Sequence, residues 1–540
     1  MPNQWKPTRE SERVQAWHAW LKLTGVCLAP LEQIEPHIRR LWATRQTDRQ
    51  IVTALQKVID TDQYGIGLTK FIEMRKNLGL TRTRQQGHMP DSIRGQMVEL
   101  RKMYPHAGVR EMISLLFHEH GLCVSRYVFF CHDNHGSCGA THQSDRRVVQ
   151  EYFMLYEPEL VRVRKANRLQ RRRFWAAGVN DIWAADQHDK WLRFGLALHT
   201  GIEPFSGRIL WMKVWHNNRN PQLILSYYLE TVETLGFIPM VTQSDPGTEN
   251  FGIANAQTML RQMHDPALQG FVQHRWMRVK KNIIPEIAWS QLRRRFTPGF
   301  EALLEMGIQA GWYDPDNTLQ LMVFRWIFIP WLQGELDGYK DRVNRSRKRH
   351  DRNKVLPHGV PELIHESPQE YGALDFKVTV SQTAIDYVHQ LYVDGDHVVF
   401  DLVPPALGTF IKQCYVEIGR PPVDRTSVWT VYNMLLHALR QYDRIAIQEV
   451  LTANEEVEDS PLPLTSGLQD LLENEDSGYL GGVANGLGLQ PEHHHTLDQL
   501  DAEDNPLPSG TNQDDDNFSQ PTFQIHDFSD DEVDVDNAYD

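Results

Sequence analysis

Between residues 181 and 310 the apolar positions fall into short runs, IWAADQHDKW, FGLALHTGI, RILWMKVWH and FIPMVTQSD, rich in aromatic and β-branched residues. Runs of this kind read as strands. VQHRWMRV (272–279) is a candidate fifth strand. The helical period appears between them, in PQLILSYYLETVETLG (221–236), FGIANAQTMLRQM (251–263) and PEIAWSQLRRRF (285–296). Three strands in succession, followed by alternating strand and helix, predict an α/β domain with a mixed sheet and helices on its faces.

The flanks are patterned differently. Residues 1–45 read as a helical segment. From 46 to 142, amphipathic stretches at 48–59, 69–80, 92–104, 109–121 and 125–133 alternate with Gly-marked turns. Helix, turn, helix is the pattern of many small helical domains, DNA-binding ones among them. Residues 143–175 read as a linker helix ending in RVRKANRLQRRR (162–173), whose cations, Arg171, Arg172 and Arg173 included, suit either a solvated helix or a connector that tracks phosphates. The core is expected over 176–340. Residues 341–450 follow as an α+β region, with a basic opening (341–354), short strands and one helix, SVWTVYNMLLHALRQY. The run LMVFRWIFIPWL (321–332), broken by Arg325 and Pro330, is a buried helix and no membrane span.

Charge changes the picture. The 540 residues carry a net charge of -14, with 56 Lys+Arg against 70 Asp+Glu. Residues 451–540 hold 23 of the acids and no Lys or Arg, so the remainder has 56 − 47 = +9. A basic body is compatible with nucleic acid. The acidic, Pro/Gly-rich stretch from 451 has the composition of a disordered tail, either a passive extension or an interaction segment for a protein partner. Five cysteines exclude a disulfide scaffold. The opening residues lack an apolar h-region, so no secretory signal is expected.

Three acids stand where chemistry needs them. Asp186 interrupts an apolar strand, and a buried carboxylate is costly unless paired or bound to metal. Asp245 ends another strand, at a Pro-Gly turn that leads to Glu249 and Asn250. Glu286 follows Pro285 at the start of a helix. Clustered carboxylates repel, and divalent cations relieve the repulsion. Two Mg2+ or Mn2+ ions between such acids suit in-line phosphodiester chemistry. On the helix after Glu286, position 289 or 290 and Arg293 share its face. Arg293, Arg294, Lys280 and Lys281 are candidate DNA-backbone contacts, with a solvated face as the alternative for the arginines. Asn250 is a candidate for orienting the Asp245 loop or substrate, or else a cap for the following helix.

These residues carry a resemblance. VNDIWAADQHDKW, FSGRILWMKVW, DPGTEN and PEIAWSQLRRR resemble the catalytic core of retroviral-type integrases and DDE transposases, in forms derived from mobile elements of eukaryotic genomes. Weaker likeness extends over about 45–365. The resemblance implies an RNase H-like fold with Asp186, Asp245 and Glu286 as metal-holding catalytic acids. It also implies nicking of DNA ends and strand transfer into target DNA, a homo-oligomer, and a nuclear location with no membrane association. Asp245 and Glu286 stand further apart than is usual in the family, so Glu249 and Asp265 compete for the third acid, though neither opens a helix after a strand. A domesticated, non-catalytic DNA-binding protein is the alternative reading, and a nuclease that cuts without joining is a third.

Other signals carry less. CHDNHGSCGATH (131–142) gathers Cys and His but has no C-x2-C pair, and an incidental loop is favoured over a zinc site. The tryptophans 183, 191, 211 and 215 read as packing residues rather than base-stacking platforms. Asp189 and His188 follow Asp186 on the same strand; one is a candidate to line the site, and a surface role is expected for the second.

Overall fold

The computed structural model describes residues 29–60, 64–124, 148–157, 176–277, 283–348, 357–441 and 462–468. The expected elements over 1–28 and 125–133, the 131–142 cluster, the 162–173 run with Arg171, Arg172 and Arg173, and Lys280 and Lys281 lie outside these residues. So do 349–354 and the acidic stretch apart from 462–468.

The chain divides into two compact units, residues 1–96 with 112–156, and residues 97–111 with 157–540. In the first, α1 (Leu31–Ala43), α2 (Asp48–Val58) and α3 (Leu68–Asn77) pack in series. A capping box starts α2: the Gln50 amide donates to Thr47 Oγ1 at 3.3 Å and the Thr47 amide donates to Gln50 Oε1 at 3.0 Å. Two cations of this unit act as internal struts. Arg82 lies 4.1 Å over the Trp42 ring and Arg75 lies 5.3 Å from it, while Asp48 pairs with both at 2.6 and 3.3 Å. Next come α4 (Arg94–Met103), α5 (Val109–His120) and α6 (Val148–Tyr156), with α4 and α5 crossing the division between the units.

The second unit is built on a five-stranded sheet of order β4-β3-β2-β6-β7. Its strands are β2 (Ile182–His188), β3 (Ala197–Glu203), β4 (Arg208–Trp215), β6 (Val241–Ser244) and β7 (His274–Trp276). β2, β3 and β4 form an antiparallel meander, whereas β6 and β7 join parallel. This mixed sheet with helices on its faces is RNase H-like, as the resemblance implies. The helices are α7 (Pro221–Leu235), α8 (Phe251–His264), α9 (Ile283–Arg295), α10 (Thr297–Gln309) and α11 (Thr318–Arg345). Asn220 caps α7 through its side chain, and Pro221 stands at the first helical position. No helix among the described residues is long and apolar enough to cross a membrane.

Two expectations need correction. GFIPMV (236–241), which opens the FIPMVTQSD run, is not one strand. β5 (Phe237–Ile238) pairs with β9 (Val378–Thr379) in a separate ribbon, and only β6 enters the main sheet. Pro239 between them has no N–H to give a ladder, and its carbonyl accepts instead from Gln257 Nε2 at 2.9 Å. The described residues of 370–450 hold three α-helices rather than one, α12 (Gln382–Tyr392), α13 (Pro405–Glu417) and α14 (Val428–Leu439), besides the short β8 (Leu374–Asp375) that pairs with β1 (Gly178–Val179). Val378, Ile385, Val388 and Val399 bury in the same cluster as Leu225, Tyr228 and Val232 of α7 and Trp183 of β2. The C-terminal residues thus complete the core behind the central strand.

Trp183, Trp191, Trp211 and Trp215 pack, and their indole N–H groups are satisfied. Trp183 Nε1 donates to Asn180 Oδ1 at 3.0 Å, Trp191 Nε1 to Glu301 Oε1 at 2.9 Å, Trp211 Nε1 to His199 Nδ1 at 2.9 Å and Trp215 Nε1 to the Val399 carbonyl at 2.7 Å. Gly201 on β3 lies flat under Trp211, where a Cβ would come 2.2 Å from the ring.

Candidate catalytic site

β2 and β6 are neighbours in parallel register, Ile182 with Val241, Trp183 with Thr242 and Ala184 with Gln243. Asp186 and Asp245 stand two residues beyond the last of these pairs at the same offset, and the charge of Asp245 acts on Asp186. Facing positions on adjacent parallel strands point to one side of the sheet, about 4.8 Å apart. Asp245 is the first residue beyond β6, so its carboxyl stands at the open end of the strand.

Burial and the charge of Asp245 push the Asp186 carboxyl up to about 8, and Glu286 pushes in the same direction. Glu286 reaches this field from the first turn of α9. The Gln187 amide works the other way, holding the carboxylate by a hydrogen bond. Trp289 Nε1 is buried and makes no hydrogen bond of normal geometry, but it lies near enough to Asp186 to favour its ionised form. The Asp245 carboxyl is also raised, by burial and then by Glu249.

The α9 face expected from its period is present. Trp289, one turn after Glu286, is buried and stacks on His188 of β2, with ring centroids 4.9 Å apart and planes 16° from parallel. Burial and the charges of Lys190 and Arg293 hold the His188 imidazole down to about 4, so it is neutral at physiological pH. Arg293, two turns after Glu286, lines an open cleft of about 380 Å³ with Lys190, Arg193, Thr297 and Glu301. Arg193 is partly neutralised by Glu305 at 2.8 Å and Glu301 at 3.8 Å. Arg294 turns back on its own helix, with Nε donating to the Ser290 carbonyl at 3.3 Å. Arg295 pairs with Glu111 at 3.4 Å.

Asn250 does not cap α8, since its side chain makes no capping bond. Its Nδ2 donates instead to Glu249 Oε1 at 3.0 Å and to the Asp245 carbonyl at 3.3 Å, which ties the turn after β6 together. Glu249 is buried beneath this turn, where a Cβ at Gly247 would fall 2.0 Å from Glu249 Oε1. Asp265 caps the 3-10 turn Pro266–Leu268, accepting from the Ala267 amide at 3.0 Å. Neither competitor for the third acid is among the charges that act on Asp186, whereas Glu286 is. Asp189 accepts from Asn218 Nδ2 at 2.7 Å and is occupied structurally. Lys190 and Arg193 were missed by sequence reasoning, although both lie in DKWLRF, immediately after the strand that carries Asp186.

Among the described residues no group of three or more His, Cys, Asp or Glu side chains is arranged to close on one ion. The donor chemistry nonetheless fits a hard divalent cation. Three carboxylates share one field, and the innermost resists ionisation until a positive charge offsets its neighbours.

The mixed five-stranded sheet flanked by helices is that of an RNase H-like domain. Residues 174–360 match the family model described as "Integrase core domain", and over that segment the chain is similar to the integrase and DDE transposase superfamily. Comparison with curated proteins and with solved structures gives no match.

Proposed function

We propose that this protein cuts and joins DNA as a divalent-metal-dependent polynucleotidyl transferase. The observation that supports the reading is that the charges of Asp245, just beyond β6, and of Glu286, on α9, both act on Asp186 of the neighbouring parallel strand β2. Asp186, Asp245 and Glu286 would hold two Mg2+ or Mn2+ ions. Bound there, the ions would supply charge stabilisation for the attacking and leaving oxygens of a phosphodiester.

The chain's own residues do the rest. Asp186 holds a proton in the ion-free site and gives it up when a cation arrives. The His188–Trp289 stack fixes α9, and with it Glu286, against β2. Asn250 braces the turn that presents Asp245. Lys190 and Arg293, which make no ion pair among the described residues, would neutralise DNA phosphates beside the acids, and Arg294 would approach the same backbone. Lys280, Lys281 and Arg171, Arg172 and Arg173 are further candidates for backbone contact from the sequence alone. In this reading the helices of 46–142 bind element ends, the protein works in the nucleus as a homo-oligomer, and its substrates are element ends and target DNA.

The experiment is strand transfer of a labelled DNA end into plasmid with Mg2+ or Mn2+, comparing wild type with Asp245→Asn. Joined products that disappear in the variant support the reading. Cutting without joining would indicate a nuclease. DNA binding that the substitution leaves intact, with no product from either protein, would indicate a non-catalytic DNA-binding protein.

A further inference from the structure

Asn255 lies in the second turn of α8 and is 3% exposed. Asparagine is a poor interior helix residue unless its amide is used. All of its side-chain hydrogen bonds among the described residues go to one distant segment. Nδ2 donates to the Pro463 carbonyl at 2.9 Å, while Oδ1 accepts from the Thr465 amide at 2.9 Å and from Thr465 Oγ1 at 3.0 Å. The carbonyl of one residue and the amide of the residue two further on lie along the same edge of an extended chain. A side-chain amide offers the matching donor and acceptor pair. Asn255 therefore reads the backbone of an extended peptide, as an added strand would.

The segment is shaped for this. Leu462 and Leu464 are half-buried, whereas Pro463 and Thr465 are exposed, which is the alternation of an extended chain with one face against the protein. Gly467, at φ +80°, ends the extended run in a turn, and Leu468 is again half-buried. Proline on either side of Leu462 stiffens the chain before docking and lowers the entropy lost on binding.

We propose that Asn255 and the surface around it on α8 form a docking site for an extended Leu-Pro-Leu-Thr peptide, occupied by this chain's own residues 462–468. Docking there has a consequence that rests on the function proposed above. Asn255 is five residues beyond Asn250, which braces the Asp245 turn, and the acidic run Glu455–Asp459 immediately precedes the docked segment. The clamp thus ties residues 463–465 to the helix that follows the Asp245 turn, and acidic residues that close to it in sequence would compete with DNA phosphates.

The test uses the full chain and a fluorescent peptide of residues 460–469. In wild type the site is filled from within, so added peptide binds weakly. In the Leu464→Asp chain the internal segment is released, and the peptide should bind roughly ten-fold tighter or better. A peptide carrying Thr465→Pro, which lacks both the amide hydrogen and the hydroxyl, should not bind, and this control leaves the protein unaltered. Thr465→Pro in the full chain should open the site as Leu464→Asp does. Equal binding to wild type and both chain variants, or equal binding of the two peptides, overturns the proposal. Because the readout contains no DNA, its failure is separate from failure of the catalytic reading.

Discussion

His188 of β2 and Trp289 of α9 stack face to face, 4.9 Å between centroids, two residues after Asp186 and three after Glu286. The stack joins the strand that bears the first acid to the helix that bears the third. Stacked pairs of this kind contribute about 0.5–1.5 kcal/mol beyond the area they bury. His188→Ala should lower the rate of strand transfer roughly ten-fold, equivalent to about 1.4 kcal/mol, with little change in DNA affinity. His188→Phe keeps the stack and should restore most of the rate. Equal rates for His188→Ala and wild type would contradict the positioning role.

Lys190 and Arg293 line one cleft and both act on His188, two residues after Asp186, and Arg293 shares its helix face with Glu286. If Arg293 contacts a phosphate, Arg293→Ala should weaken binding to all DNA sequences alike. It should also reduce the slope of log K against log salt by about 1. An unchanged slope would place the DNA elsewhere.

Protonation and cation binding should compete at Asp186. Its carboxyl is at about 8 in the ion-free fold against 3.8 for an ordinary aspartate. The proton therefore stabilises the ion-free fold fully below about pH 4, and that contribution is lost as pH rises through about 8. Cation binding works in the opposite direction. Mn2+ affinity should strengthen between pH 6 and pH 8, with proton release seen as a dependence of the calorimetric heat on buffer. A pH-independent affinity over that range would contradict the assignment.

Three buried imidazoles give a separate acid response. His199, His274 and His365 are held down to about 3 by burial. They are neutral in the fold while the unfolded chain takes up protons below about 6.5. Each costs about 1.4 kcal/mol of stability per pH unit as pH falls from there toward 3. Glu203, raised to about 7 by burial, acts in the opposite sense, losing its stabilising proton as pH rises through 7. The ring resonances of the three histidines should stay flat from pH 8 to pH 5. An ordinary titration near 6.5 at any of them would show that its burial is wrong.

Gly201 sets the closeness of β3 to Trp211. Gly201→Ala should cost about 1–3 kcal/mol of stability through overpacking, seen as a lower denaturant midpoint. An unchanged midpoint would mean that the ring moves aside freely.

Much of the core is legible in the sequence because its elements have clean periods. The strands β2, β3 and β4 and the helices α7, α8 and α9 fall within a few residues of their apolar patterns. The acids were legible from position, Asp186 inside a strand and Asp245 at the end of another. That their 59-residue spacing is the register offset of β2 and β6 needed the structure. The split of GFIPMV was hidden because Ile238 and Val241 look alike locally, and the partner that separates them, Val378, lies far along the chain. The clamp on Asn255 was hidden for the same reason, since its partners are 208 and 210 residues away. The helices α12 and α13 were missed because their apolar positions read as short strands until their packing on the core was known.

The central claim is that Asp186, Asp245 and Glu286 serve one cation site. Titration of Mn2+ into the full chain at pH 8, followed by electron paramagnetic resonance of the free ion, tests it most directly. Wild type should deplete the free-ion signal, and Asp186→Asn, Asp245→Asn and Glu286→Gln should each weaken that uptake roughly ten-fold or more. Uptake in all three variants equal to that of wild type would contradict the account.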